Sequence, residues 1–273
     1  MTLFAAGALV ALLCPQVPAP APVPDPAQVK STVAALQAAY KKGEAVATAE
    51  ALRAAAQFVH ADVIKEVERG LAAKDRVVLV ASIEALERMD HPRALDALEA
   101  VFDEKPLRAD VDVFVALVRA IGRHGDVDSV SVLAEEPLLV LPHKVDAARI
   151  VALANIRTRE SLDAVFSMMH TVGPVRGREL MGALRLSLAA LTGADEGESR
   201  ERWITWWNDH KRDFQVAPEL GELPPLLRVE WNAFWGLEPK KPGKQDRKSG
   251  GDGTDPGATE PKKGPKKEAG GAG

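Results

Sequence analysis

Ile83–Phe102 reads IEALERMDHPRALDALEAVF. Apolar residues recur at helical spacing on both sides of Asp90-His91-Pro92, so the stretch predicts two short helices joined by a tight turn. Moving the chain along itself brings Leu86, Ile121 and Leu153 into register, at offsets of 35 and 32 residues. Each follows an alanine (Ala85, Ala120, Ala152), and each is followed nine residues later by Leu95, Val130 or Leu162. Three residues further on stand Leu98, Leu133 and Val165. Repeats of this length with two helices per unit predict an α-helical stack in which each unit buries its apolar side on the next.

The same stretch resembles the HEAT repeat: a helix ending in Ala-Leu, a turn holding Asp90 and Pro92, then a second helix carrying Leu95 and Leu98. The segments starting at Leu117 and Arg149 resemble it more loosely. In the first of these, Pro137 replaces the apolar Phe102 and Met169 of the other units, which predicts a shortened second helix. The resemblance spans roughly residues 46–215. It implies an all-α, right-handed α–α superhelix, HEAT-like and armadillo-like, of about five helix pairs, and says little about function.

Between Ala27 and Phe214 valines also fall at helical spacing, as in Phe114, Leu117, Val118 and Ile121. Gly43, Gly70, Pro92, Pro106, Gly125, Pro142, Gly173-Pro174 and Gly193 punctuate the helices. Ala190–Phe214, ALTGADEGESRERWITWWNDHKRDF, resembles the closing unit of exported bacterial HEAT-repeat proteins, with Trp203, Trp206 and Trp207 on one helical face. Such a face caps the open end of a stack, or it forms a binding surface. After the polar connection Gln215–Pro225, Leu227, Trp231, Phe234 and Trp235 line one face of a short helix stopped by Gly236. That helix folds back on the body or docks into a partner's groove, and Trp231, Trp235 and Arg228 are the candidate partner contacts.

The chain has 273 residues, 46% hydrophobic and 5% aromatic, with a net charge of -4 and a single cysteine. Collagen-like, disulfide-stapled and wholly disordered classes are excluded. Leu3–Leu13 is an uncharged apolar run of signal-peptide length, so export to the periplasm or cell envelope is expected. Two features depart from the usual signal: no Lys or Arg precedes the run, and Ala19 and Ala21 are each followed by proline. Cys14 ends the run as in a lipobox, but Leu13 stands where that motif has a small residue. A polyproline spacer follows as far as Pro26. The expected organisation is a signal or anchor at 1–17, a linker at 18–26, the helical repeats and cap at 27–215, a connection and short helix at 216–238, and a tail at 239–273.

The tail has nine Lys/Arg against five Asp/Glu and no large apolar residue, so disorder is expected there. The rest of the chain has 26 against 34. Its negative charge argues against nucleic acid, although a basic tail with aromatic residues keeps a nucleic-acid or anionic-polymer binder as an alternative. Weak membrane association through the N-terminus or the tail is a further expectation.

No nucleotide-binding, metalloprotease or nucleophile-elbow motif is present. His60, His91, His124, His143, His170 and His210 have no ligand spacing and fall near helix ends, where bonds to terminal carbonyls are expected. Asp209 and Asp213 read as surface ion pairs with Lys211 and Arg212. Arg176, Arg178 and Arg185 are a candidate anion site at a helix start, but Glu179 lies within it and solvated helix charge is the reading taken. No catalytic residue, cofactor or metal is therefore assigned. The expected role is a non-enzymatic scaffold for a protein or peptide partner, with an enzyme accessory of the helical-repeat lyase type as the other alternative.

Overall fold

The computed structural model describes residues 25–135, 138 and 140–237. The Leu3–Leu13 run, Cys14, Pro137 and the basic tail lie outside them. Among the described residues thirteen α-helices follow one another: α1 (Pro26–Lys42), α2 (Ala45–Ala55), α3 (Ala61–Glu68), α4 (Arg76–Arg88), α5 (Pro92–Ala100), α6 (Lys105–Ala109), α7 (Val111–His124), α8 (Ser129–Ala134), α9 (His143–Ile156), α10 (Arg159–Thr171), α11 (Pro174–Thr192), α12 (Arg200–His210) and α13 (Pro225–Trp235). A 3-10 turn, Arg69–Ala72, links α3 to α4. No strand occurs among the described residues, and the fold is all-α.

Several helix ends lie at the punctuation residues, while α2 ends at Ala55 and α9 gives way to α10 at Arg157–Thr158 without one. Gly43, Gly125 and Gly193 cap helices with φ near +70°, a region that glycine enters without a Cβ penalty. Pro92, Pro106 and Pro174 occupy the first turns of α5, α6 and α11, where a missing N–H costs nothing. His60 and His91 depart from expectation. Each Nδ1 accepts from a backbone N–H, of Asp62 and Arg93, and so caps the start of a helix instead of binding terminal carbonyls. His124, His143 and His210 do contact carbonyls, of Leu86, Glu179 and Trp206.

Helices α2, α4, α7, α9 and α11 pack in succession, each on the next. Helix α3 packs on α5, and α8 on α10. The core lies between these two sets. Of the residues aligned by the register, Leu86, Ile121, Leu153, Leu98, Leu133, Leu162 and Val165 are fully buried, Leu95 is buried and Val130 is half-buried. The register alanines matter because they let backbones approach. A Cβ on Gly122 would lie 2.6 Å from the Cβ of Ala152 and 2.9 Å from its Cα, so the crossing of α7 and α9 excludes any larger residue there. Helix α9 is buried around most of its circumference because α7, α8, α10 and α11 all pack on it.

Two polar devices sit inside this apolar frame. Glu99 on α5 accepts from the Ser129 hydroxyl on α8 at 2.6 Å. Burial, together with the neighbouring Asp96, Asp126 and Asp128, pushes its carboxyl above the usual range. A raised folded-state value means that the stabilisation is full below about pH 4.5 and is lost as pH rises through the folded value. Glu99→Gln is therefore expected to match the parent near pH 4. Near pH 7 it should exceed the parent by about 0.5 kcal/mol, the scale of a solvent-screened charge; urea unfolding at the two pH values checks this.

The second device is a buried ion cluster. Asp146 and Arg149 on α9 are fully buried and paired at 3.2 Å, and Arg176 of α11 reaches the other Asp146 oxygen at 2.9 Å. The Arg149 Nε donates to the Leu133 carbonyl and Arg176 to that of Leu141, so the two guanidiniums hold both ends of the α8–α9 connection.

Candidate functional site

A cleft of about 580 Å³ opens between the end of α10 and the starts of α11 and α12. Its apolar lining is Met169, Val172, Met181 and Leu184. Methionine is unbranched and polarizable, so such a lining adapts to differently shaped apolar groups. Arg178, Glu198 and Glu201 supply charge around it.

The walls are fixed by arginines. Arg200 donates to the His170 and Val172 carbonyls at 2.8 and 3.3 Å, tying α12 to the α10–α11 turn. Arg185 grips Asp195 with two bonds of 2.8 and 2.7 Å, and that hydrogen bonding holds the Asp195 carboxyl below its ordinary range. The Trp203 indole N–H bonds the Gly197 carbonyl at 2.9 Å, which closes the same loop onto α12.

The candidate Arg176–Arg178–Arg185 anion site is not assembled. Arg176 is spent on Asp146 and Glu179, and Arg185 on Asp195. Arg178 is exposed at the cleft with no ion pair among the described residues. Nor do Asp209 and Asp213 pair with Lys211 and Arg212 there; Lys211 bonds Asn208.

The three tryptophans of α12 divide. Trp203 is fully buried, Trp207 is buried and stacked on Phe166 at 4.6 Å, and Trp206 is half-buried against His210 and Phe214. The α12 rings thus serve packing before recognition.

The short helix α13 is docked on the body. Leu223, Leu227, Trp231 and Trp235 are buried, and Phe234, partly buried against the core, lines a pocket together with Val115, Ala147 and Val151. The candidate contacts Trp231 and Trp235 thus face inward, at 4% and 5% exposure, while Arg228 bonds Glu222 and the Leu223 carbonyl. None of the three lines the cleft. The outer side of α13 carries the exposed Leu226 and Val229.

Two arginines that sequence reading passed over hold the connection that returns α13. Arg157, at φ +55°, donates to the Ala217 and Ala190 carbonyls. Arg159 donates to those of Lys211 and Phe214 and lies over the Trp207 ring. A signal was available: the 32-residue offset aligns Arg157 with the left-handed Gly125.

Among the described residues there is no group of three acidic, histidine or cysteine side chains able to hold a metal, and no helix long and apolar enough to cross a membrane. No protein-family model matches the chain, and no curated protein matches it.

Proposed function

We propose that the chain is a HEAT-like right-handed superhelix of about five helix pairs, exported from the cytoplasm, that acts as a non-enzymatic scaffold and binds a peptide segment of a protein partner. The succession of packed helices α2, α4, α7, α9 and α11 supports the solenoid reading. The cleft carries the functional one. An apolar lining with two methionines, next to a guanidinium with no ion pair of its own, suits an apolar side chain adjacent to an acidic one. Affinity in such a site comes from the buried apolar group, and Arg178 selects the charge beside it.

Panning a displayed random-peptide library on the folded chain tests this. Enriched peptides should pair Leu, Met or Phe with a neighbouring Asp or Glu. Met181→Lys and Arg178→Glu should each weaken them about tenfold, with the melting temperature of Arg178→Glu unchanged. Peptides that bind both variants as well as the parent would remove the cleft from the proposal.

A further inference from the structure

Helix α13 departs from the pattern by which the earlier helices pack. Helices α7 and α11 each pack on α9, which stands between them. The backbone of α13 packs on α11, yet its far end reaches past α9. Phe234 lines a pocket with Val115 of α7 and Ala147 and Val151 of α9, and Trp235 lines another with Glu84 and Glu87 of α4 and Arg119 and Arg123 of α7. The 11 residues of α13 extend about 16 Å, enough to cross one helix whose neighbours lie about 8–10 Å away on either side.

The hold at that far end is specific. The last carbonyls of a helix lack intrahelical donors, and a cation beside them is favoured by the helix dipole. Arg123 of α7 meets both conditions: it donates to the Trp235 carbonyl, and its guanidinium lies over the Trp235 ring. Its Nε also pairs with Glu87 of α4 at 2.7 Å, where the Glu87 side chain is only 8% exposed. One guanidinium therefore fastens α4, α7 and α13 together. Toward the start of α13, Leu223, Leu227 and Trp231 are buried, whereas residues 218–222 of the connection are exposed.

In a stack where each unit touches only its neighbours, loosening at one end stays local. A helix held by α11 and α7 at once links second neighbours and closes a ring of contacts through α7, α9, α11 and α13. We infer that α13 is a brace: docked, it fixes the setting of α11 relative to α7 and α4, and released, it lets these helices shift separately. The shape of the stack is thereby switched by one terminal helix on an exposed tether.

The test compares the full chain with the double variant Trp231→Ala, Trp235→Ala, which leaves Arg123 and Glu87 in place. Hydrogen exchange read by mass spectrometry should show α13 released and α1 protected as in the parent. Faster exchange of α7 would follow from uncovering its surface alone, so a distance decides the matter. Spin labels at Val77→Cys on α4 and Val175→Cys on α11, both exposed positions, in a Cys14→Ser background report the setting of two helices that α13 bridges. The parent should give one narrow distance distribution, and the double variant one at least twice as wide or displaced. An unchanged distribution overturns the inference, and so does an α13 that stays protected without the two rings, because they are then not its anchors. Should α1 lose protection as well, Trp235→Ala alone, which keeps Leu227 and Trp231 packed, replaces the double variant with the same outcomes required; loss of α1 protection there too overturns the inference, since α13 would then support the whole fold and switch nothing.

Discussion

Asp146→Ala is expected to destabilise the fold by about 3–5 kcal/mol, because it removes the one carboxylate that two guanidiniums share. Arg149 is fully buried, so it cannot recover solvation by turning outward. It would keep its 2.7 Å bond to the Leu133 carbonyl but lose the Asp146 carboxylate, and Arg176 would keep Leu141. Breaking a buried pair from one side costs far more than replacing both members with apolar groups. Asp146→Leu combined with Arg149→Met should therefore be less destabilised than Asp146→Ala alone. Urea unfolding of the three proteins decides it. If Asp146→Ala unfolds within 1 kcal/mol of the parent, the pair contributes little, and the α8–α9 connection is held by other means.

That cluster also marks the limit of sequence reading. The 32-residue register that pairs Ile121 with Leu153 also pairs Phe114 with Asp146 and Leu117 with Arg149. In α7 those positions are fully buried and apolar; in α9 the equivalent positions are fully buried and charged. Hydropathy alone assigns Asp146 and Arg149 to a solvated face, since a charge carries no mark of its burial. Only strict adherence to the repeat would have placed them inside. The helices and their turns were legible because capping is local: glycine at positive φ and proline in a first turn act through their own backbone. The cleft was not, because Met169, Met181, Arg178 and Glu198 are brought together by the angle at which α12 meets α10 and α11. Trp231 and Trp235 were legible as an apolar face. What covers them depends on Arg157 and Arg159 capturing the preceding connection, a long-range contact with no periodic signature.

The tryptophan helix gives the other large expected effect. Trp203→Ala should cost about 3–5 kcal/mol, the range for truncating a fully buried aromatic ring. Two losses combine at that site. The ring leaves a cavity between α12 and the body, and the Gly197 carbonyl, which accepts from the indole at 2.9 Å, loses its donor. The other two rings of the helix set the scale. Trp207 is also buried, but its ring contacts both Phe166 and the partly exposed Arg159 guanidinium, so part of the space it vacates can fill with solvent. Trp206 is only half-buried, and its alanine variant should lose about 1 kcal/mol, the worth of an exposed aromatic contact. The order Trp203, Trp207, Trp206, measured by chemical denaturation with an unchanged denaturant slope, is what a capping helix requires. A recognition helix would give the reverse, with Trp206 and Trp207 sensitive in binding and all three nearly silent in stability.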